Sequence, residues 1–305
     1  MKRVLLTGAS GFVGRQTVTP LLARGYEIHA TTSVSRNPVE GLTWHQADLL
    51  ADGSGRAIVR DVRPTHLLHL AWYAEPGKYW DSPLNLKWLA ASVELLHAFG
   101  ESGGTRVVMT GTCAEYDWNH GYCTENVTPD RPHSLYGSCK KALADVLSAS
   151  SRQTNLSSAW ARLFLLYGPH EPSVRLVPSV IRALLNDAPA QCTHGRQLRD
   201  FLHVADAADA LCALLDSTVE GPVNISSGQP STIGELVHEI ARQLKRSDLV
   251  QLGALPAPAA DPPMLVGNCE RLRQEVQWVP RRNLAGGLAE TIAWWSAQPV
   301  LPAAS

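Results

Sequence analysis

The sequence predicts an α/β chain, a doubly wound parallel sheet followed by a smaller C-terminal α/β lobe. Three observations carry that expectation. Short apolar runs alternate with helical patterns through the first half. A glycine-rich turn stands directly after the first of those runs. The alternation stops after about residue 166, where prolines begin to cluster.

VLLT (4–7) reads as a buried strand, and the turn from Gly8 to Gly14 opens a helix reaching about Arg24. YEIHATT (26–32) is the second strand and LTWHQADL (42–49) the third. Residues 51–61 are helical, and THLLHLA (65–71) is a fourth strand, apolar enough to be buried on both faces. SPLNLKWLAASVELLHAF (82–99) repeats its apolar residues at helical spacing. TRVVMTG (105–111) is the fifth strand, 136–150 a helix, and LSSAWARLFLL (156–166) holds a sixth strand. These 166 residues predict a nucleotide-binding domain. Residues 167–305 predict mainly a substrate domain, with segments near 200–227 returning to the first. Helices are expected near 173–186, 203–216 and 231–244, a strand at PVNISS (222–227), and a last amphipathic helix at GGLAETIAWW (286–295). GALPAPAADPP (253–263) reads as an extended loop without a functional role.

Composition narrows the function. The 305 residues are 45% hydrophobic and 18% charged, enough for a large core. Lys and Arg number 27 against 28 Asp and Glu, which predicts neither a nucleic-acid stripe nor a polybasic membrane anchor. No apolar run reaches the length of a membrane span. The start, MKRVLLTGAS, meets glycine too early for a secretory signal. Six cysteines (113, 123, 139, 192, 212, 269) form no CxxC pair and no Cys/His pattern, so reduced thiols, no metal and a cytoplasmic location are expected. Cys212, on an apolar helix face, reads as core packing.

TGASGFVG (7–14) places Gly8, Gly11 and Gly14 between a strand and a helix. Glycine allows the tight turn and close backbone approach, and the helix start offers free N–H groups to a pyrophosphate. An NAD site is expected to carry an acid at the end of strand two, for the ribose 2′-hydroxyl. Here ATTSVSRNP (30–38) has only hydroxyls and Arg36, with Arg15 directly after the third glycine. Cations and hydroxyls suit a 2′-phosphate, so NADP(H) is preferred, with NAD(H) possible. A pair of solvated surface charges is the plainer alternative for the two arginines.

YGSCK puts Tyr136 and Lys140 four apart, on one helix face. A nearby ammonium and a bound nicotinamide's positive charge would lower the tyrosine pKa and fit it for proton exchange at a carbinol oxygen. Together with TGASGFVG, HLA (69–71), Thr112, RLFLLYGP (162–169) and RDFLHVAD (199–206), this pair makes nearly the whole chain resemble an extended short-chain dehydrogenase/reductase of the NAD(P)-dependent epimerase/dehydratase type. The resemblance implies a Rossmann-like domain, a nucleotide-sugar substrate and a homodimer formed through 82–99 and 136–150. It implies Thr112 as hydrogen-bond donor to the substrate oxygen, Tyr136 as acid/base and Lys140 on the nicotinamide ribose. It also implies cofactor contacts at Ser10, Phe12, Val13, Leu49, Leu70 and Ala71, with Asp48 near the adenine.

The departures matter as much. Dehydratases of this type carry Asp-Glu after the catalytic hydroxyl, where this chain has Cys113 and Ala114. C3/C5 epimerases keep a cysteine and a histidine at positions that are here Ala114 and Arg175. Two readings are left: an NADPH-dependent reductase of a nucleotide-linked 4-keto-6-deoxy sugar, which is preferred, and a 4-epimerase with tightly held NAD. A non-catalytic NADP(H) sensor is the alternative of another class. Leu165 replaces an asparagine that holds the diphosphate in many relatives, while Asn85 and Arg199 match positions near ligand. Trp72, Tyr73, Tyr79 and Trp80 offer an aromatic wall for substrate or pack a domain interface. His203 reads as structural, with Asp200 as an ion-pair or helix-cap partner.

Overall fold

The computed structural model describes residues 2–154, 156–258 and 260–299. In chain order the strands are β1 (Lys2–Thr7), β2 (Tyr26–Thr32), β3 (Leu42–Gln46), β4 (His66–His69), β5 (Arg106–Thr112), β6 (Tyr122–Cys123), β7 (Ser157–Leu163), β8 (Leu165–Tyr167), β9 (Ala190–Cys192), β10 (Leu198–His203), β11 (Gly221–Ile225), β12 (Pro230–Thr232), β13 (Val250–Leu252) and β14 (Met264–Gly267). The helices are α1 (Gly14–Ala23), α2 (Ser54–Val62), α3 (Leu84–Glu101), α4 (Leu135–Thr154), α5 (Leu176–Leu185), α6 (Val204–Asp216), α7 (Ile233–Leu244), α8 (Glu270–Gln274) and α9 (Leu284–Ser296).

Seven strands form one parallel sheet in the order β11-β7-β5-β4-β1-β2-β3. Alternate residues of a strand face opposite sides, and the core divides accordingly. Leu5, Leu67, Val107 and Met109 pack with α2, α3 and α4 on one face, while Val4, Leu6, Leu68 and Val108 pack with α1 and α6 on the other. β5 is buried at every position, as a central parallel strand covered on both faces must be. Cys212 lies in the core of α6, matching its reading as packing, and all six cysteines are free and buried.

The sixth expected strand is two strands. β7 runs in the main sheet, the chain breaks at Phe164, whose N–H donates to the Ile225 carbonyl (3.2 Å), and β8 then pairs with β10 elsewhere. β12, β10, β14 and β6, with β8 beside β10, make a second sheet, and β13 pairs β9. β10 went unforeseen because LRDFLH mixes charged and apolar residues without alternation, and β6, β9, β12, β13 and β14 because each is two to four residues long. A period of two cannot declare itself over so few positions. α5, α7 and α9 share a third apolar cluster over the carboxyl end of the main sheet. No helix among the described residues is long and apolar enough to cross a membrane.

Candidate active site

The strand order reverses between β1 and β4, and the carboxyl ends of these strands open into a cleft of about 980 Å³. Open parallel sheets bind ligands at such a switch point. Thr7 fixes its edge. Its Oγ1 accepts the N–H groups of Leu70 (3.1 Å) and Ala71 (3.2 Å) and lies 2.8 Å from His69 Nδ1, while His69 Nε2 meets Ser92 Oγ on α3 at 2.8 Å. Burial, helped by the Lys140 charge, pushes His69 down to about 3, so it is a neutral structural link.

Gly8 has φ +74°, and a Cβ there would come 2.8 Å from the Ala71 nitrogen. A Cβ on Gly14 would stand 2.1 Å from the Gly8 oxygen, so α1 starts pressed onto the turn. α1 has no side-chain cap and no acid in its first turn, which leaves its leading N–H groups for an anion. Gly8, Ser10, Gly11, Phe12, Val13, Gly14, Asp48, Leu49, Leu70 and Ala71 all line this end of the cleft, with Thr31, Thr32 and Ser33 at the end of β2. A cradle only glycine fits, an uncapped helix and a row of hydroxyls fit a dinucleotide.

Arg15 and Arg36, both expected at this pocket, are not among its lining residues. The Arg15 guanidinium folds back over the turn, donating to the Ser10 (2.8 Å) and Gly11 (3.2 Å) carbonyls and meeting His170 Nδ1 at 2.7 Å. Burial and then the charge of Arg36 lower its pKa, so the two cations are neighbours. Among the described residues neither makes an ion pair.

At the other end, Thr112 closes β5 and caps a short 3-10 turn, 113–115. Its Oγ1 accepts the Ala114 N–H at 3.2 Å, which leaves the hydroxyl proton to be donated on the side where Tyr136 lies. Glu115, fully buried, accepts the Thr112 N–H at 2.7 Å, Trp160 Nε1 at 2.9 Å and Arg162 Nε at 2.8 Å. Arg162 also pairs with Asp130 (2.7 Å) and lies 4.3 Å over the Tyr116 ring. This network anchors Thr112 at the end of β5. Sequence reading passed over it, although Thr112-x-x-Glu115 is a capping-box pattern.

α4 comes close to this turn because Gly137 has no side chain: a Cβ would be 2.5 Å from the Ala114 oxygen. Tyr136 and Lys140 thereby join Thr112 on the cleft wall. The expected lowering of the Tyr136 pKa depends on a bound nicotinamide's charge as well as on the ammonium; in the chain alone the shift runs the other way. Burial raises it, Tyr79 adds to the rise, and the Thr112 hydroxyl works against it. Lys140 is not among the main influences on Tyr136. Its Nζ donates to the Thr110 carbonyl at 2.8 Å and sits 3.9 Å over the Trp72 ring. Burial draws the ammonium down to about 7 against the pull of Glu115, while ring and carbonyl favour the charged form.

Trp72, Tyr73, Tyr79 and Trp80 line the cleft. Tyr79 meets Tyr136 edge-on at 4.9 Å and Trp80 does so at 6.0 Å. Asn85 is buried and spent on this wall: it accepts from Trp72 Nε1 (2.8 Å) and donates to the Tyr79 (2.7 Å) and Ser82 (2.9 Å) carbonyls. Its amide is committed to partners within the chain. Cys113 lines the cleft as a neutral thiol, pushed up to about 12 by burial. Arg175 and Arg199 line the second-lobe wall. Arg199 is buried against Asp261, so 253–263 is not an idle loop: Asp261 and Pro262 face the cleft. Among the described residues Asp200 makes neither ion pair nor helix cap. It accepts from Ser227, Gly228 and Gly267 N–H groups and ties two loops together. His203 is structural as expected, capping α6 through the Ala205 N–H.

Residues 4–226 match the NAD dependent epimerase/dehydratase family. The chain is 25% identical over 319 residues to a UDP-glucose 4-epimerase of Rhizobium meliloti (strain 1021), covering 96% of this chain and 97% of that one. It is 25% identical over 316 residues to UDP-glucuronic acid decarboxylase 1 of Danio rerio, covering 97% and 73%. The crystal structure of Thermus thermophilus UDP-glucose 4-epimerase with NAD superposes with a TM-score of 0.85 at 25% identity, over 97% of this chain and 99% of that one.

Proposed function

This chain belongs to the NAD-dependent epimerase/dehydratase family, and from that premise we propose that it transfers hydride at a ring carbon of a nucleotide-linked sugar, with C4 epimerisation as the reaction. The carrying observation is the convergence of Thr112, Tyr136 and Lys140 on one wall of a cleft whose far end is the glycine cradle. Likeness to 4-epimerases in sequence and structure supports this reading above the net reduction that the sequence alone favoured. The dinucleotide supplies the hydride acceptor and donor when bound. The chain supplies the rest. Gly8, Gly11, Gly14 and the start of α1 would hold its pyrophosphate, and Lys140 its nicotinamide end. Thr112 donates its hydroxyl proton to the substrate oxygen. Tyr136 exchanges a proton with that oxygen, and its raised pKa keeps the phenol protonated in the ligand-free chain. Cys113, a thiol held neutral, and Ala114 supply neither the acid nor the base that water loss needs.

Net reduction of a 4-keto sugar by NADPH is the second reading, favoured by one observation. The end of β2 carries hydroxyls and no carboxylate, and the neighbouring cations Arg15 and Arg36 make no ion pair among the described residues.

The test is turnover on a panel of UDP-, dTDP-, GDP- and CDP-linked hexoses and their 4-keto derivatives, followed by product NMR. Inversion at C4 without cofactor consumption is expected. Stoichiometric NADPH oxidation would establish the second reading instead, and no turnover on any sugar nucleotide would sink both. Tyr136→Phe should lower kcat by about 10²–10⁴-fold while dinucleotide affinity stays within about threefold. Activity surviving that change would overturn the assignment of Tyr136.

A further inference from the structure

Glu171 belongs to none of the roles above. It lies in the segment between β8 and α5, lines the cleft, and is only 6% exposed. Its Oε2 is buried without a hydrogen-bond partner. A buried carboxyl oxygen left unmatched is costly unless something else satisfies it. Four residues further on, at the N-cap of α5, stands Arg175, which also lines the cleft. Its guanidinium lies 5.8 Å from the Tyr79 ring centre, and no carboxylate among the described residues is within ion-pair distance of it. The other arginine of this wall differs. Arg199 is committed to Asp261, so its charge is already balanced.

We propose that Glu171 and Arg175 together form the substrate's anion-binding wall, Glu171 as a neutral carboxylic acid donating a hydrogen bond to the ligand's diphosphate and Arg175 supplying the charge. This rests on the reading of the ligand as a nucleotide-linked sugar. A neutral acid is a donor that an ionised one is not. It also leaves the cation beside it uncompensated for a phosphate to meet. Burial pushes the Glu171 carboxyl up to about 8, against the pull of Arg175 and the Gly168 N–H, so the acid form prevails at pH 7. Of the other charged or titratable groups, Lys140 and Tyr136 face the cleft from α4, Cys113 from the turn after β5, Tyr73 and Tyr79 from the loop after β4, Asp48 from the segment after β3, and the Arg199–Asp261 pair from the second lobe. His170, next in sequence, is turned to Arg15 and Trp294.

The direction follows. As pH rises through about 8, Glu171 ionises, turns from donor to repelling neighbour of the phosphates, and compensates Arg175. Affinity for a sugar nucleotide therefore falls. Lys140 titrates near this range, but it does so with or without Glu171.

The experiment is calorimetric binding of UDP-glucose, dTDP-glucose, GDP-mannose and CDP-glucose to wild type, Glu171→Gln and Arg175→Gln at pH 7 and pH 9. For whichever probe binds, the wild type should lose about tenfold more affinity across that interval than Glu171→Gln, whose amide donates at both. Arg175 is partly exposed, so Arg175→Gln should fold, and it should bind about tenfold more weakly at pH 7. Equal pH dependence in wild type and Glu171→Gln overturns the proposal, as does an unchanged affinity in Arg175→Gln. Either result leaves the functional reading standing if the wild type binds. A wild type that binds none of the four probes overturns both.

Discussion

Trp72 shows how one side chain can set the state of another. Its indole N–H is fixed by Asn85 and its face carries the Lys140 ammonium, 3.9 Å from the ring centre. A desolvated cation–π contact is worth about 2 kcal/mol, or more than one pKa unit. The ring stabilises the charged lysine, so its loss lowers the lysine pKa. Trp72→Leu should then move the basic limb of the kcat/KM profile down by about one pH unit, since that profile reports the free enzyme's groups. Dinucleotide affinity measured well below pH 7 should change little. A basic limb that stays in place would mean that Lys140 does not depend on the ring. The tryptophan was legible in the sequence as part of an aromatic wall, but its partner was not: Lys140 lies 68 positions away, and no spacing rule connects them. Glu171 and Asp261 stayed hidden for a similar reason. A lone acid in a proline-rich stretch looks like any solvated loop residue until its burial is known.

Elements were far more readable. β2 was placed to the residue, because YEIHATT combines β-branched and aromatic residues with a glycine directly before it. The parallel half declared itself since each buried strand must be continuously apolar and each crossover helix amphipathic. The second lobe did not, since its sheet is made of short strands joined across long sequence separations. The glycine cradle gives the sharpest test at this scale. A Cβ on Gly14 would meet the Gly8 oxygen, the Gly8 carbonyl carbon and Ala9 Cα, all backbone and all within 2.8 Å. Nothing there can swing aside, so Gly14→Ala must push α1 away from β1. Gly100, within α3, has nothing within 4 Å of its Cβ position. Gly100→Ala should therefore stabilise by about 0.5–1 kcal/mol through helix propensity alone. Gly14→Ala should destabilise by about 1–3 kcal/mol and abolish dinucleotide binding. Urea unfolding of the two variants tests the signs together. A Gly14→Ala protein that binds normally would show that the turn is not the cradle described.

At the scale of the whole chain, the cleft is walled by both halves: the carboxyl ends of the main sheet on one side, and 163–177, Arg199, Phe201, Ile233 and Asp261 on the other. A ligand filling it touches residues from Gly8 to Leu265, so its binding free energy is expressed as stability of the entire fold. Saturation at a hundred times Kd adds about 2.7 kcal/mol. For a chain of this length each kcal/mol raises Tm by about 2 °C, giving a shift of about 5 °C. That shift can read the electrostatics at the end of β2. Hydroxyls line it, no carboxylate opposes a phosphate, and Arg15 and Arg36 are neighbouring like charges. NADPH should therefore raise Tm by about 2–3 °C more than NADH at equal concentration, equivalent to about a tenfold difference in affinity. Arg36→Ala should erase most of that difference and leave the NADH shift intact, because Arg36 lies outside the cleft lining, where it could reach at most the added 2′-phosphate. Equal shifts in the wild type would return both arginines to the status of surface charges. The dinucleotide's identity does not by itself choose the reaction: an epimerase regenerates the cofactor it holds, whereas a reductase releases it oxidised. Tm in the presence of substrate separates the two, since only a reductase, supplied with a keto sugar and limiting NADPH, should drift toward the Tm of its NADP⁺ complex.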